Sequence, residues 1–140
     1  YLGRHVGVPV CFEGALKLKE ITYIPTEAYP AGEMKHGPIA LLDEGSPVVV
    51  VATEGHVLDK VISNIQEVRA RGARVIAVAT EGNEEIAAHA DELLWTPPVP
   101  ALLSPITAIV PLQHFAYEIA KAKGLNVDQP RNLAKTVTVE

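Results

Sequence analysis

The chain has 140 residues, with 48% hydrophobic and 21% charged residues and a net charge of −5 at pH 7. This length suits one domain with an ordinary hydrophobic core. The acidic balance argues against nucleic acid as the main partner, because phosphate binding needs a basic face. No apolar run reaches the roughly 18 residues of a membrane span. The single cysteine, Cys11, excludes an internal disulfide and favours a cytoplasmic setting.

The chain begins without methionine, and residues 1–4 have the character of the end of a strand. We therefore expect a piece of a longer protein. Residues 10–22 predict the first helix, with Cys11, Ala15 and Leu18 along one side.

A charged row of three residues lies along one side of this helix. Glu13, Lys17 and Glu20 fall within a sector of roughly 60° at ~100° per residue, and their spacing predicts two ion pairs. One interpretation is a solvated face with weak pairs. The other is a site in which Lys17 keeps Glu20 ionised, so that the carboxylate acts as a general base.

Residues 27–38 form a connection rich in Pro and Gly that carries His36. Turns of this kind hold a side chain in a fixed direction, which makes His36 a candidate for proton transfer. A lone histidine is more often structural or simply exposed. The five histidines lack close partners in the sequence and Cys11 has no companion, so we expect no metal site.

Two apolar runs, Pro47–Ala52 and Arg74–Ala79, predict parallel strands covered by helices on both faces. The helical spacing over 56–71, followed by Gly72, predicts the crossover helix between them. A short helix over 84–90 and a third strand over 92–95 follow.

The sequence Val-Ala-Thr-Glu-Gly occurs at 51–55 and again at 78–82, each time after a strand. We expect two similar turns in which Thr53 and Thr80 cap the following helices. The glutamate in each turn occupies the position that an anion would need, so these turns do not predict a phosphate site.

A long helix is expected to end near Lys123, with Pro111 kinking it and Gly124 as its stop. The tail over 126–140 contains Lys135. A lysine attacks a ketone only when neutral, and burial or the nearby charges of Lys17 and Arg131 would lower its pKa. The alternative is a frayed end or an edge strand.

Three motifs carry a resemblance to a known family: residues 13–20 (EGALKLKE), 27–38 (EAYPAGEMKHGP) and 128–140 (DQPRNLAKTVTVE). Together they closely resemble the C-terminal half of the isomerase domain of glutamine–fructose-6-phosphate aminotransferases. The resemblance implies an α/β protein, a three-layer αβα sandwich with a central parallel sheet of the SIS (sugar isomerase) type. It implies one such domain over residues 1–140, with an active-site tail over 126–140.

The resemblance also implies roles for individual residues. Glu20 matches the base that moves a proton between C1 and C2 of the open-chain sugar phosphate, and Lys135 matches the lysine that forms an imine with the ketose. His36 matches a histidine that helps to open the sugar ring and reaches the neighbouring subunit's site. The remaining matches are a lysine assisting proton transfer at ring oxygens, a carboxylate orienting the histidine and a backbone contact to the sugar: Lys17, Glu13 and Ala134.

The implied reaction converts fructose 6-phosphate and glutamine-derived ammonia to glucosamine 6-phosphate, with no metal or organic cofactor. The implied partners are the first SIS subdomain and the glutaminase domain of the same parent chain, in a homodimer. Cys11 does not match the catalytic cysteine of that glutaminase domain. The Ser/Thr-rich loops that hold the phosphate in the first subdomain are missing, so we expect the isolated chain to be inactive.

Two other functions stay open from the residues. One is a non-catalytic SIS module that senses phosphosugars, which would not require Glu20 or Lys135. The other is a dimer-forming scaffold that uses apolar helix surface such as 106–119.

Overall fold

A computed structural model describes residues 1–133 as a parallel sheet with helices on both faces. The strands are β1 (Leu2–Gly3), β2 (Tyr29–Pro30), β3 (Pro47–Ala52), β4 (Arg74–Thr80) and β5 (Glu92–Thr96). The α-helices are α1 (Gly7–Thr22), α2 (Leu58–Arg69), α3 (Glu84–His89) and α4 (Ser104–Ala122). Short 3-10 turns occupy Met34–His36, Pro38–Leu41 and Ala101–Leu103.

The strand order is β2-β1-β3-β4-β5, and every neighbouring pair is parallel. β2 and β5 therefore lie at the two edges of the sheet. This arrangement confirms the predicted α/β class with a central parallel sheet.

Alternate residues of β3 face opposite helical layers, because side chains alternate across a strand. Val48 and Val50 lie in a core with α2 and α3, whereas Val49 and Val51 lie in a core with α1 and α4. Both faces of β3 are thus covered, which explains why its sequence is a continuous apolar run.

The first helix begins at Gly7, three residues before the predicted start. Pro9 lies in its first turn, where a missing N–H costs no intrahelical hydrogen bond. The helix ends at Tyr23, whose backbone is left-handed (φ 60°) and whose N–H donates to the carbonyl of Lys19.

The two glycine stops are confirmed, since Gly72 and Gly124 have φ values of 81° and 67°. The predicted threonine caps are wrong. Asn83 caps α3 by accepting from the Ile86 N–H, and Thr80 Oγ1 instead accepts from the Glu54 N–H at 3.0 Å. α2 begins without any side-chain cap.

Residues 134–140 lie outside the described part of the chain. The predictions for Ala134 and Lys135 concern this part, so they stay predictions. Within residues 1–133, no helix combines the length and the apolar character needed to cross a bilayer.

The contact between β1 and α1 gives a first testable prediction. A Cβ at Gly3 would lie 2.6 Å from the Gly7 carbonyl oxygen and 2.8 Å from Cys11 Sγ. We expect Gly3→Ala to lower the free energy of unfolding by about 1–3 kcal/mol, because a buried backbone contact cannot move aside cheaply. Urea unfolding of both proteins measures the difference.

Gly55→Ala is the matched control, since the nearest atom to its added Cβ is 4.0 Å away. Equal stabilities for the Gly3 and Gly55 variants would show that β1 and α1 are not in this close contact.

Candidate active site

The charged row of Glu13, Lys17 and Glu20 lies along the middle and last turns of α1. α1 follows β1 and leads to the parallel strand β2, so it must return the chain to the amino ends of the strands. The N-terminal nitrogen of Tyr1 donates to the Glu27 carbonyl at 2.7 Å, which confirms that the end of this connection lies at that edge. The charged row therefore lies toward the amino edge of the sheet.

The buried side of α1 is closely packed. A Cβ at Gly14 would lie only 2.7 Å from Leu112 Cδ1 of α4, so the two helices approach closely there. Small residues on α4 permit this approach, and Ala108 and Ala116 are fully buried. The buried side of α1 is thus fixed against α4 and the sheet, and the charged row is left at the surface.

Lys17 joins the two carboxylates. Its Nζ lies 2.8 Å from Glu20 Oε2 and 3.5 Å from Glu13 Oε1, as the spacing predicted. The side chains of Lys17 and Glu20 are 33% and 27% exposed, so this ion pair is half-buried rather than fully solvated.

The electrostatics of this pair favour the charged form of Lys17. The hydrogen bond to Glu20 raises the pKa of Lys17 above its usual value, and the Glu13 charge adds to this rise. Lys17 therefore stays an ammonium at neutral pH and donates to Glu20 Oε2. This contact uses one oxygen of the Glu20 carboxylate, and a carboxylate has further lone pairs with which to accept a proton.

His36 lies elsewhere on the chain. Its Nε2 is 4.0 Å from Glu33 Oε2 and its side chain is 75% exposed. Within residues 1–133 it makes no hydrogen bond or ion pair with Glu13, Lys17 or Glu20, so a single chain does not bring the histidine into the charged row.

The turn that carries His36 is nevertheless fixed to the domain. Met34 is buried in the core beside α2. Lys35 Nζ lies 2.7 Å from Glu67 Oε1 of α2, and this hydrogen bond lowers the pKa of Glu67. The structure thus anchors both residues before His36 and leaves the imidazole facing outward.

The C-terminal segment contacts the end of α1, and no pattern in the sequence predicts this contact. The Arg131 N–H donates to Tyr23 Oη at 2.8 Å, and the Arg131 guanidinium carbon lies 4.1 Å from the centre of the Tyr23 ring. Lys123 Nζ donates to the Thr22 carbonyl at 3.0 Å. These residues are about 100 positions apart in the sequence, so only the fold brings them together.

Two concave surfaces lie outside the charged row. A shallow groove between α1 and β2 is lined by residues including Phe12, Leu16 and Tyr29. At ~100° per residue, Leu16 and Phe12 of this groove lie roughly 40° and 80° around α1 from Glu20. The second surface lies at the carboxyl ends of β1 and β3, and Glu54 lines it, as the sequence predicted for these turns.

Residues 1–133 contain no group of three or more His, Cys, Asp or Glu side chains arranged to hold a metal ion. Burial raises the pKa of the Cys11 thiol to about 12. A buried thiol that stays protonated at neutral pH does not supply a nucleophile.

The sequence of residues 2–122 matches the protein family described as SIS domain. The chain therefore belongs to the SIS domain family. Over all 140 residues it is 66% identical to glutamine–fructose-6-phosphate aminotransferase [isomerizing] of Thermus thermophilus and 58% identical, over 144 aligned positions, to that of Streptomyces coelicolor. The chain spans 23% of the length of each of these relatives. These matches confirm the resemblance that the three motifs indicated.

Solved structures agree with this assignment. The C-terminal domain of glucosamine-fructose-6-phosphate aminotransferase from Francisella tularensis superposes with a TM-score of 0.86 at 43% identity, over 91% of this chain and 36% of that one. A putative phosphosugar isomerase from Silicibacter pomeroyi gives 0.78 at 29% identity, over 91% and 37%. A sugar isomerase domain of an RpiR transcription factor from Sphaerobacter thermophilus, at 21% identity, shows the fold alone.

The unequal distances from Lys17 give a prediction about its pKa. We expect Glu20→Gln to lower the pKa of Lys17 more than Glu13→Gln does, because the Glu20 contact is shorter and is the main cause of the rise. NMR titration of the lysine side chains measures both values.

The raised pKa of Lys17 also predicts how the stability of the protein depends on pH. A raised lysine pKa contributes stability that is present below the usual value of 10.5 and is lost as the pH increases through the raised pKa. Equal pKa shifts in the two glutamine variants would contradict the assignment of Glu20 as the main partner of Lys17.

Proposed function

We propose that this chain supplies the general base and the imine-forming lysine of the sugar isomerase site of a glutamine–fructose-6-phosphate aminotransferase. The observation that carries this proposal is the half-buried Lys17–Glu20 pair at 2.8 Å, in a chain 66% identical to an enzyme of that name. The chain spans only 23% of that relative, so the reaction is assigned to the full-length protein.

The chemistry begins at Lys135. Its neutral amine adds to the C2 carbonyl of open-chain fructose 6-phosphate, and water leaves to form an imine. Ammonia then displaces the lysine at C2, because the nitrogen of the product must come from glutamine. Either imine makes the adjacent C1–H more acidic than the ketone does.

Glu20 completes the isomerisation. Its carboxylate removes a proton from C1 and returns it to C2, which converts the ketose imine into the amino aldose glucosamine 6-phosphate. The Lys17 ammonium donates to this carboxylate, and it also donates toward the ring oxygens when the sugar ring opens. In this step one proton moves from C1 to C2 and the hydroxyl proton of O1 moves to the nitrogen, so no oxidant is needed.

His36 is proposed to act on the neighbouring subunit's sugar. Its exposure, and the absence of a hydrogen bond or ion pair between it and Glu20 within residues 1–133, support this proposal. Glu13 is paired with Lys17 here, so its proposed role in orienting the histidine requires the imidazole to arrive from the other subunit. The contact of Ala134 with the sugar is proposed from the C-terminal motif alone.

The phosphate group needs a site from outside this chain. The turns after β3 and β4 present Glu54 and Glu81, which would repel an anion. We therefore assign phosphate binding to the first SIS subdomain of the parent chain. A sensor function would account for the fold but not for both Glu20 and Lys135 in their motifs.

Substitution of the base in the full-length enzyme tests the reaction. We expect Glu20→Gln to reduce product formation about 10²–10⁴-fold, because the amide keeps the shape but accepts no proton. Borohydride reduction with fructose 6-phosphate should still label Lys135. Product assay and peptide mass mapping measure the two outcomes.

Glu118→Gln is the control, since Glu118 is an exposed carboxylate on α4 that pairs with Lys121. Full activity in Glu20→Gln would show that Glu20 is not the base. Labelling of a lysine other than Lys135 would exclude the proposed imine.

We also propose that two copies associate through a surface defined by Leu102, Leu103, Ile106 and Val110. These four side chains are 50–77% exposed, and they lie on α4 and the turn before it. A surface of this kind is typical of an interface.

A double variant tests this interface. We expect Ile106→Asp with Val110→Asp to shift the chain from dimer to monomer in sedimentation, because each buried carboxylate would lack a partner. Leu41→Asp is the control, since Leu41 is 74% exposed on a different turn. A monomeric unmodified chain, or a double variant that remains dimeric, would exclude this surface.

A further inference from the structure

The helix α2 buries an asparagine on the side that packs against the sheet. Asn64 is only 3% exposed, and its helical spacing places it on the same side of α2 as Val61 and Val68, which belong to the core. A buried amide destabilises a fold unless its polar atoms form hydrogen bonds. The partners of Asn64 therefore indicate why an amide is present at this position.

Both polar atoms of the Asn64 side chain have a partner. Asn64 Oδ1 accepts from Arg4 Nε at 2.9 Å, and Asn64 Nδ2 donates to Glu67 Oε2 at 3.3 Å. Arg4 directly follows β1, so the first hydrogen bond ties α2 to the carboxyl end of a central strand. The second holds the carboxylate of Glu67, one helical turn further along α2.

The other oxygen of the Glu67 carboxylate binds the residue before His36. Lys35 Nζ lies 2.7 Å from Glu67 Oε1, and this hydrogen bond lowers the pKa of Glu67, so the carboxylate is ionised at neutral pH. Arg4 contacts the same turn from the sheet, since a Cβ at Gly32 would lie 3.4 Å from Arg4 Nη2. A continuous set of contacts therefore joins β1, α2 and the turn that carries the histidine.

The pair of Lys35 and Glu67 is better suited to fixing a direction than to stabilising the fold. The Lys35 side chain is 58% exposed, and exposed ion pairs contribute little to the free energy of unfolding. Because Asn64 already holds Glu67, the pair fixes Lys35 without having to order both side chains. Met34 is buried in the core, so Met34 and Lys35 together set the direction in which the chain enters His36.

We infer that Glu67 is a positioning residue that holds the turn of His36 in the direction needed to reach the sugar. The inference rests on the proposed function, in which His36 acts on the neighbouring subunit's sugar, and it adds a residue that lies in none of the three motifs. Glu67 acts through Lys35 on the backbone next to the imidazole. A misplacement of about 1 Å at a reacting group can reduce a rate by up to about 10²-fold, so this contact matters more for the rate than for stability.

The test uses the full-length enzyme and compares wild type with Glu67→Gln, Lys35→Met and the double variant. Glu67→Gln keeps the size of the side chain and an oxygen for Asn64, but it removes the charge that holds Lys35. Lys35→Met removes the ammonium and keeps most of the apolar stem. Glu92→Gln is the matched control, because Glu92 pairs with Arg74 of a neighbouring strand at the opposite edge of the sheet from β2.

Two substrates separate ring opening from the later steps. Fructose 6-phosphate is mostly cyclic, whereas its 5-deoxy analogue lacks the hydroxyl that closes the ring. We expect Glu67→Gln and Lys35→Met each to lower kcat for fructose 6-phosphate by about three- to tenfold, with unchanged KM and melting temperature. The double variant should lose no more than the slower single variant, because both changes remove one contact. With the analogue all variants should match wild type, whereas a structural defect would slow both substrates.

His36→Ala separates this inference from the proposed function. If His36→Ala converts fructose 6-phosphate at the wild-type rate, the proposed role of His36 is wrong and the inference falls with it. If His36→Ala is slow while Glu67→Gln and Lys35→Met are as fast as wild type, the function stands and the positioning role is overturned. Losses that add in the double variant would also overturn it, and that comparison decides even if the analogue is not a substrate.

Discussion

The structure depends on how closely α1 lies against α4. A Cβ at Gly14 would lie 2.7 Å from Leu112 Cδ1, so this glycine lets the two helices approach closely, and alanines on α4 continue the seam. Because one side of α1 is fixed by this contact and by the sheet, the other side has only one orientation. This packing therefore fixes the positions of the charged row and of the left-handed turn after it.

Much of the fold could be predicted because the information is local. The apolar runs of β3 and β4 and the glycine stops are properties of short segments, and the structure confirms them. The beginning of α1 was placed too late because Gly7 and Pro9 are poor helix formers in the interior and harmless in a first turn. The threonine caps were wrong because Thr80 serves a neighbouring turn 26 residues away.

In the candidate site, too, some contacts could be predicted from the sequence and others could not. The Lys17 ion pairs follow from helical spacing and could be predicted, whereas the contact of Tyr23 with Arg131 joins residues 108 positions apart. That contact does not follow from any periodic pattern in the sequence, so only the folded structure shows it. His36 is a third case, since within residues 1–133 it forms no hydrogen bond or ion pair with Glu13, Lys17 or Glu20.

The β5 edge of the sheet has a consequence for the solubility of this molecule. Among residues 1–133, only β4 pairs with β5, so no described strand covers the outer row of N–H and C=O groups of β5. The sequence after β5 is Pro97-Pro98-Val99-Pro100, and prolines cannot extend a hydrogen-bonded ladder. These prolines therefore limit the length of the β5 edge that a strand of another molecule could pair with.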